Sequence, residues 1–270
     1  MGMARQVLGK ADRTVLGLQN HEIRPVIGKA FGGTTIDKCE TILACVFKAF
    51  GTLSDKERQE MAACDMGFFA YHTIHKGGLA FGIQEDDTNK DGGSSSSSSL
   101  KAVVVFREYD PAKENHTPNF LDRFWSSVTD LRAYYHMKFD PLGLPELLKD
   151  SSQEKKFCKS GEVSDLIFEK FHEYHVQYAP QEKHWYIAIV ATDPESHGKG
   201  YGKQVMHLMG QVADATGMAC YLESPQYNRR FYEKCGYEVT KDVTVSVIDK
   251  ELGEVSADLV LMTRKPQPSS

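Results

Sequence analysis

The stretch HWYIAIVATDPESHGKGYGKQ, residues 184–204, decides the reading of the chain. Its first half, His184 to Pro194, is almost entirely apolar and β-branched. That composition predicts a central strand covered on both faces. Its second half alternates glycine with lysine and tyrosine: Gly198, Lys199, Gly200, Tyr201, Gly202. Beyond it, Lys203 to Ala215 carries Val205, Met206, Leu208, Met209 and Val212 at helical spacing, and Thr216-Gly217 supplies a stop. A strand, a glycine turn and a helix make an anion site, because N–H groups at a helix N-terminus lack intrahelical acceptors and the helix dipole is positive there.

Spacing narrows the anion. A dinucleotide turn reads G-x-G-x-x-G. Counted from Gly198 its last glycine falls on Lys203, and counted from Gly200 it falls on Val205, so the pattern fails. A P-loop reads G-x-x-x-x-G-K-[ST]. Its Gly-Lys is met by Gly202-Lys203, but its first glycine falls on His197 and its hydroxyl residue on Gln204, so that fails too.

Working outward, Glu22 to Gly28 alternates loosely and predicts a first strand. Thr34 or Thr35 opens a helix with Ile36, Ile42, Leu43, Val46 and Phe47 on one stripe. Ser54 and Glu57 form a capping box for a second helix running to about His75, closed by Gly77-Gly78. LAFGIQE (Leu79 to Glu85) and LKAVVVFREYD (Leu100 to Asp110) read as an antiparallel hairpin. Its connection, residues 86–99, is enlarged by a serine tract that has no apolar area to bury and is expected to be disordered. Asn119 to Lys138 is an aromatic-rich amphipathic helix. Val163 to Gln177 is another, with Leu166, Ile167, Phe171 and Tyr174 on one face. Met218 to Ser224 is a short buried strand, Asn228 to Tyr237 holds a short helix stopped by Gly236, and two strands near 237–247 and 258–264 close the chain.

Composition excludes several classes. The chain has 270 residues, 41% apolar and 10% aromatic, and a formal net charge of -5. It lacks the basic excess of a nucleic-acid binder. It has no apolar run approaching ~18 residues, so no membrane span is expected. Residues 1–20 lack the apolar core of a secretory signal; they read as a flexible terminus, with organelle targeting left open. The six cysteines form no C-x-x-C pair and read as reduced thiols of a cytoplasmic protein. His72 with His75, and His172 with His175, sit at i, i+3. No cysteine or carboxylate cluster completes a tetrahedral set around them, so they read as helix-surface histidines and no metal is expected.

The second informative stretch is Asn228 followed by Phe231-Tyr232-Glu233-Lys234-Cys235-Gly236-Tyr237. With His197-Gly198-Lys199-Gly200-Tyr201-Gly202 ahead of it, the chain resembles the GNAT superfamily of acetyl-CoA-dependent N-acetyltransferases. That superfamily's signatures are [RQ]-x-x-G-x-[GA] after a central strand, then an asparagine before an [LF]-Y-E-K-x-G-[FY] run. From Tyr174 to Pro266 the chain is similar to the puromycin N-acetyltransferase type. One departure is His197, where the superfamily has Arg or Gln. It implies weaker or rearranged side-chain help with the pyrophosphate.

The resemblance implies a set of roles. Gly198, Gly200 and Gly202, with His197, Lys199 and Tyr201 between them, would hold the pyrophosphate of acetyl-CoA. The backbone of Val190, Ala191 and Thr192 would pair with its pantetheine. Tyr232 would protonate the departing sulfur, since a phenol of pKa ~10 is protonated at neutral pH. Glu223 is the first candidate for the base that deprotonates the amine and His184 the second. Asn228 would cap the short helix and also meet the cosubstrate.

The expected architecture is an α/β (in some schemes α+β) GNAT fold: a mixed, twisted sheet of about six or seven strands with helices on both faces. The sheet would be splayed between its fourth and fifth strands, HWYIAIVATD and MACYLES. A single domain spans 21–266, with a helical acceptor-side segment at 111–178 and the acetyl-CoA-binding core at 184–237. The expected reaction is direct acetyl transfer to a primary amine of a small molecule, by a monomer or homodimer, with neither nucleic acid nor membrane as partner. A protein lysine or N-terminus is the alternative acceptor. A non-catalytic acyl-CoA-binding protein is the alternative from another class.

Overall fold

The computed structural model describes residues 45–46, 66, 69–70, 73, 78–84, 100–114, 166–249 and 253–267. The predicted strand at 22–28, most of the two helices between 34 and 75, the serine tract, the aromatic helix at 119–138 and His72 and His75 lie outside the described residues.

Six strands are described: β1 (Leu79–Gln84), β2 (Leu100–Tyr109), β3 (His184–Thr192), β4 (Cys220–Pro225), β5 (Glu238–Asp249) and β6 (Gly253–Arg264). The helices are α1 (Pro111–Glu114), α2 (166–178), α3 (Tyr201–Thr216) and α4 (Arg229–Glu233). The strand order is β1-β2-β3-β4-β6-β5. β1 and β2 are antiparallel, β3 and β4 parallel, and β6 antiparallel to both β4 and β5, so the sheet is mixed as expected. The β3–β4 register covers two pairs, Trp185↔Cys220 and Tyr186↔Tyr221, and no more.

Among the described residues, those up to Arg107 pack with Ala188–Thr216 as one compact unit, and Glu108–Ile187 pack with the residues from Gly217 onward as another. In the first unit, β1 and β2 pair from Leu79↔Phe106 to Gln84↔Leu100, with an irregularity at Ile83/Gln84. Leu79 through Ile83 and Ala102 through Phe106 are buried without alternation. Phe81 sets its ring edge-on to Phe106 at 5.4 Å. A Cβ on Gly82 would stand 2.7 Å from the Ala102 carbonyl oxygen and 3.0 Å from a Leu100 methyl, so only glycine fits there. α3 packs on β1, burying Tyr201, Val205, Met206, Met209, Gly210, Val212 and Ala213. Leu208, read as inward, is half-buried instead.

β3 corrects the sequence reading. His184, Trp185, Ile187, Ile189 and Ala191 are buried, while Tyr186, Ala188, Val190 and Thr192 are half-buried. An apolar composition says that both faces tolerate burial, not that both are covered. The doubly covered strands are β1 and β2.

The second unit is built on the β5–β6 hairpin, paired from Glu238↔Thr263 to Asp249↔Gly253. α2 lays Ile167, Phe171 and Tyr174 on Val245, Val247 and Leu259. Leu166, read as part of that face, is 43% exposed. α1 was not read from the sequence. Asp110 opens it by accepting the Ala112 N–H at 3.2 Å, and Pro111 takes the first helical position, where a missing N–H costs nothing. Among the described residues, no helix is long and apolar enough to cross a membrane.

Candidate active site

The glycine turn is built from Asp193 upward. This buried side chain accepts the Glu195 N–H at 3.1 Å, and its own N–H donates to the Lys101 carbonyl at 2.9 Å. It thereby fixes the 3-10 turn Pro194–Ser196 to the end of β3. The exposed His197 follows, and its Nε2–H donates to the Thr192 carbonyl at 3.2 Å. Gly198 and Gly200 then take φ of 76° and 82°, the left-handed region that side chains disfavour. A Cβ at either would meet nothing within 4 Å. The glycines are thus required by backbone conformation, and open space lies before them. α3 starts at Tyr201, whose ring is buried as an anchor, and the Gln204 N–H bonds back to the Gly200 carbonyl at 3.0 Å. The His197 and Lys199 N–H groups bond within the loop, to the Pro194 carbonyl at 3.1 Å and the Ser196 carbonyl at 3.3 Å, so the groups suited to a phosphate are the first N–H groups of α3, which lack intrahelical acceptors. Ala188, Val190 and Thr192 present the half-buried face of β3 just before this turn.

The second set of groups lies on β4 and α4. Tyr232 is buried, its ring edge-on to Phe231 at 5.0 Å and to Tyr237 at 5.9 Å. Burial pushes its phenol up to about 12, an effect partly offset by its hydrogen bond with Ser224. Asn228 Nδ2 donates to Ser224 Oγ at 3.3 Å. Asn228 itself is helical, with φ -87° and ψ -5°, and makes no side-chain cap. The expected helix cap is corrected accordingly: its amide is committed to Ser224.

Glu223 and Ser224 are consecutive in an extended strand, so their side chains leave β4 on opposite faces. Tyr232 meets Ser224, whereas Glu223 meets His175. The His175 Nδ1 lies 3.8 Å from Glu223 Oε1, with both side chains almost completely buried. His175 Nε2 lies 2.9 Å from His184 Nε2, and His184 Nδ1–H donates to the Glu182 carbonyl at 2.8 Å. Tyr109 stacks over His175 at 4.1 Å, and Tyr186 and Tyr221 stand edge-on to it at 4.7 and 4.8 Å. Burial, reinforced by the Glu223 carboxylate, pushes the Tyr221 phenol up.

Residues 167–239 match the family model described as an acetyltransferase (GNAT) domain. The likeness to a GNAT acetyltransferase domain is carried by these residues. Two uncharacterized N-acetyltransferases of Schizosaccharomyces pombe are similar to it. One is 30% identical over 86 residues, 32% of this chain and 36% of that protein; the other is 26% identical over 87 residues, 32% and 33% respectively. These matches therefore span about a third of the relatives' length. Among solved structures, a mosquito arylalkylamine N-acetyltransferase like 5b is 13% identical over 85% of this chain and 95% of its own, with a TM-score of 0.40. A structure described as histone acetyltransferase HPA2 and related acetyltransferase from Corynebacterium glutamicum is 12% identical, covers 96% and 99%, and has a TM-score of 0.45.

The described residues place the expected site residues in two groups. His197, Gly198, Lys199, Gly200, Tyr201 and Gly202 follow Val190, Ala191 and Thr192 directly around the turn. Ala191 is buried, so only its backbone is available to a ligand. Tyr232 and Asn228 meet at Ser224. Glu223 and His184, read as rival bases, belong to one cluster.

Three contributors were missed. His175 was read as a surface histidine and is buried, while His172 is exposed as expected. The signal was present: Ile167, Phe171 and His175 recur every four residues, which places His175 on the apolar stripe. Ser224 and Asp193 gave only weak signals, a small polar residue in an apolar strand and an Asp-Pro pair. Among the described residues, no group of three His, Cys, Asp or Glu side chains is arranged to hold a metal ion.

Proposed function

We propose that the protein transfers the acetyl group of acetyl-CoA to a primary amine of a small molecule, and that residues 21–266 act as one catalytic domain. The observation that carries the reading is the glycine turn. Gly198 and Gly200 hold left-handed conformations directly before α3, with open space in front, in a domain whose superfamily uses acetyl-CoA. His197 does not reproduce the superfamily's Arg or Gln. Its ring is tied to Thr192, so the pyrophosphate would be held by N–H groups, with the exposed Lys199 adding positive charge.

In this reading Glu223 removes a proton from the ammonium form of the amine. The free nitrogen attacks the thioester carbonyl carbon. The C–S bond breaks as the N–C bond is completed, and Tyr232 supplies a proton to the sulfur. Acid and base act on different atoms, the departing sulfur and the attacking nitrogen. A phenol raised to about 12 stays protonated at any physiological pH. It is also a reluctant acid beside a thiol reference of about 8.5, so its proton moves in concert with charge developing on sulfur. The aromatic surround of Tyr109, Tyr186 and Tyr221 favours a small amine over a peptide as acceptor.

Isothermal titration with acetyl-CoA tests the carrying observation. Binding in the micromolar range is expected, and its absence at tens of micromolar would remove the reading. Gly200→Val is expected to weaken that binding at least about tenfold, since a β-branched residue resists the left-handed conformation by about 1–2 kcal/mol and blocks close approach. His197→Ala is expected to change affinity less than about threefold, because the ring bonds to its own loop with a net strength of about 1 kcal/mol or less when exposed. A panel of small amines and lysine peptides, read by thiol release, separates the acceptors. Turnover confined to peptides would replace the small-molecule reading.

A further inference from the structure

The buried cluster of His175, His184 and Glu223 has a proton arrangement fixed by its geometry. The Glu182 carbonyl can only accept, so the His184 nitrogen facing it at 2.8 Å, Nδ1, carries a proton. Two ring nitrogens 2.9 Å apart need one proton between them, so either His175 Nε2–H donates to His184 Nε2 or the reverse. In the first state His175 Nδ1 is bare and faces Glu223 Oε1 at 3.8 Å. In the second His184 is an imidazolium and His175 Nδ1–H points at the carboxylate. The second state holds one proton more on the two rings than the first, and that proton is the one a protonated Glu223 would hand on along the line Glu223, His175, His184.

We propose that His175 is a positioning residue that joins Glu223 to His184 in a one-proton relay, so that the amine's proton is taken up by the cluster rather than by Glu223 alone. The inference rests on the acetyltransferase reading, within which it replaces two rival bases by one unit. In the resting state Glu223 is a carboxylate and both imidazoles are neutral. The ammonium N–H bond breaks and a Glu223 O–H forms. The 3.8 Å between Glu223 Oε1 and His175 Nδ1 is longer than a hydrogen bond, so the two groups must close on each other before that proton passes to His175 Nδ1, while the Nε2 proton of His175 passes to His184 Nε2. The amine loses one positive charge, His184 gains it, and Glu223 is again a carboxylate. The positive charge ends on the ring held by the Glu182 carbonyl, and the nearby carboxylate compensates it. Among the described residues, the titratable side chains whose rings meet His175 include Tyr109 from β2, Tyr186 from β3 and Tyr221 from β4. Protonated phenols add no charge, so within this described group Glu223 is the side chain whose charge acts on the relay.

The test has two arms on the full-length protein. Long-range proton–nitrogen NMR with labelled histidine, from pH 5 to 9, reads the tautomers directly. His184 is expected as the Nδ1–H form when neutral, and Glu223→Gln is expected to lower the pH at which His175 and His184 take up their extra proton. An Nε2–H tautomer at neutral His184, or histidine titration unmoved by Glu223→Gln, would overturn the relay. The second arm is kinetic. His175→Gln keeps an N–H toward His184 but cannot pass a proton. It is expected to lower kcat at least about tenfold, to leave KM for acetyl-CoA within about twofold, and to displace the acid limb of the kcat–pH profile. A soluble His175→Gln protein with the wild-type profile would overturn it equally. If the wild type binds no acetyl-CoA, the acetyltransferase reading fails, and the tautomer arm still decides whether the cluster shares one proton.

Discussion

Tyr232→Phe is expected to lower kcat by about a hundredfold or more while leaving the affinity for acetyl-CoA within about twofold. The substitution removes one oxygen from a side chain whose ring is fixed by Phe231 and Tyr237 and whose hydroxyl bonds with Ser224. The ring contacts survive in phenylalanine, so a loss of rate without a loss of folding isolates the hydroxyl. Because burial holds the phenol up at about 12, Tyr232 keeps its proton through pH 10. The rate should therefore show no alkaline decline near the ordinary tyrosine value. Full turnover by a folded Tyr232→Phe protein would remove Tyr232 from the chemistry.

Alkaline pH is expected to unfold the protein steeply above pH 10. Burial raises the phenols of Tyr221, Tyr232 and Tyr237 in the folded state. Below pH 10 these groups are protonated folded and unfolded alike, and their contribution to stability is fully present. Above pH 10 the unfolded chain releases the protons and the folded chain keeps them, so the contribution is lost as pH rises. Each such tyrosine removes about 1.4 kcal/mol per pH unit, so Tyr232 alone accounts for about 3 kcal/mol between pH 10 and about 12. Urea midpoints at pH 8, 10 and 11.5 measure this. Tyr237→Phe should flatten the slope, and a midpoint unchanged from pH 9 to 11.5 would contradict the burial of these groups.

Much of the described fold was legible in the sequence because period and punctuation agree there. The α3 stripe, the Thr216-Gly217 stop, the Gly236 stop and the two C-terminal strands all stand close to where the residues place them. The expectation of a splay between β3 and β4 came from the superfamily resemblance, and no periodicity of residues 184–192 would have suggested it. The covering of β3 was misread for the same reason: an all-apolar strand carries no mark of which face has a neighbour. The glycine turn was legible because left-handed backbone selects a residue type. His175 was legible only in retrospect, since a polar residue on an apolar stripe declares its burial but not its partners, which come from β3 and β4. Asn228 was misassigned because asparagine suits both a cap and a strand-facing amide, and only tertiary contact with Ser224 separates them.

The β1–β2 hairpin raises a problem of alignment. A tight turn usually sets which residues of a hairpin face each other, but residues 85–99 lie between the paired ends Gln84 and Leu100. Alternation of inward and outward residues usually sets it otherwise, and these strands are buried on both faces. What remains is size. The notch at Gly82 accepts the Leu100 methyls and the Ala102 carbonyl, and the adjacent Phe81 closes edge-on against Phe106. A slip by one position would bring a Cβ into that notch. Gly82 thus acts as a keyway: the residue without a side chain holds the two strands of the hairpin in step.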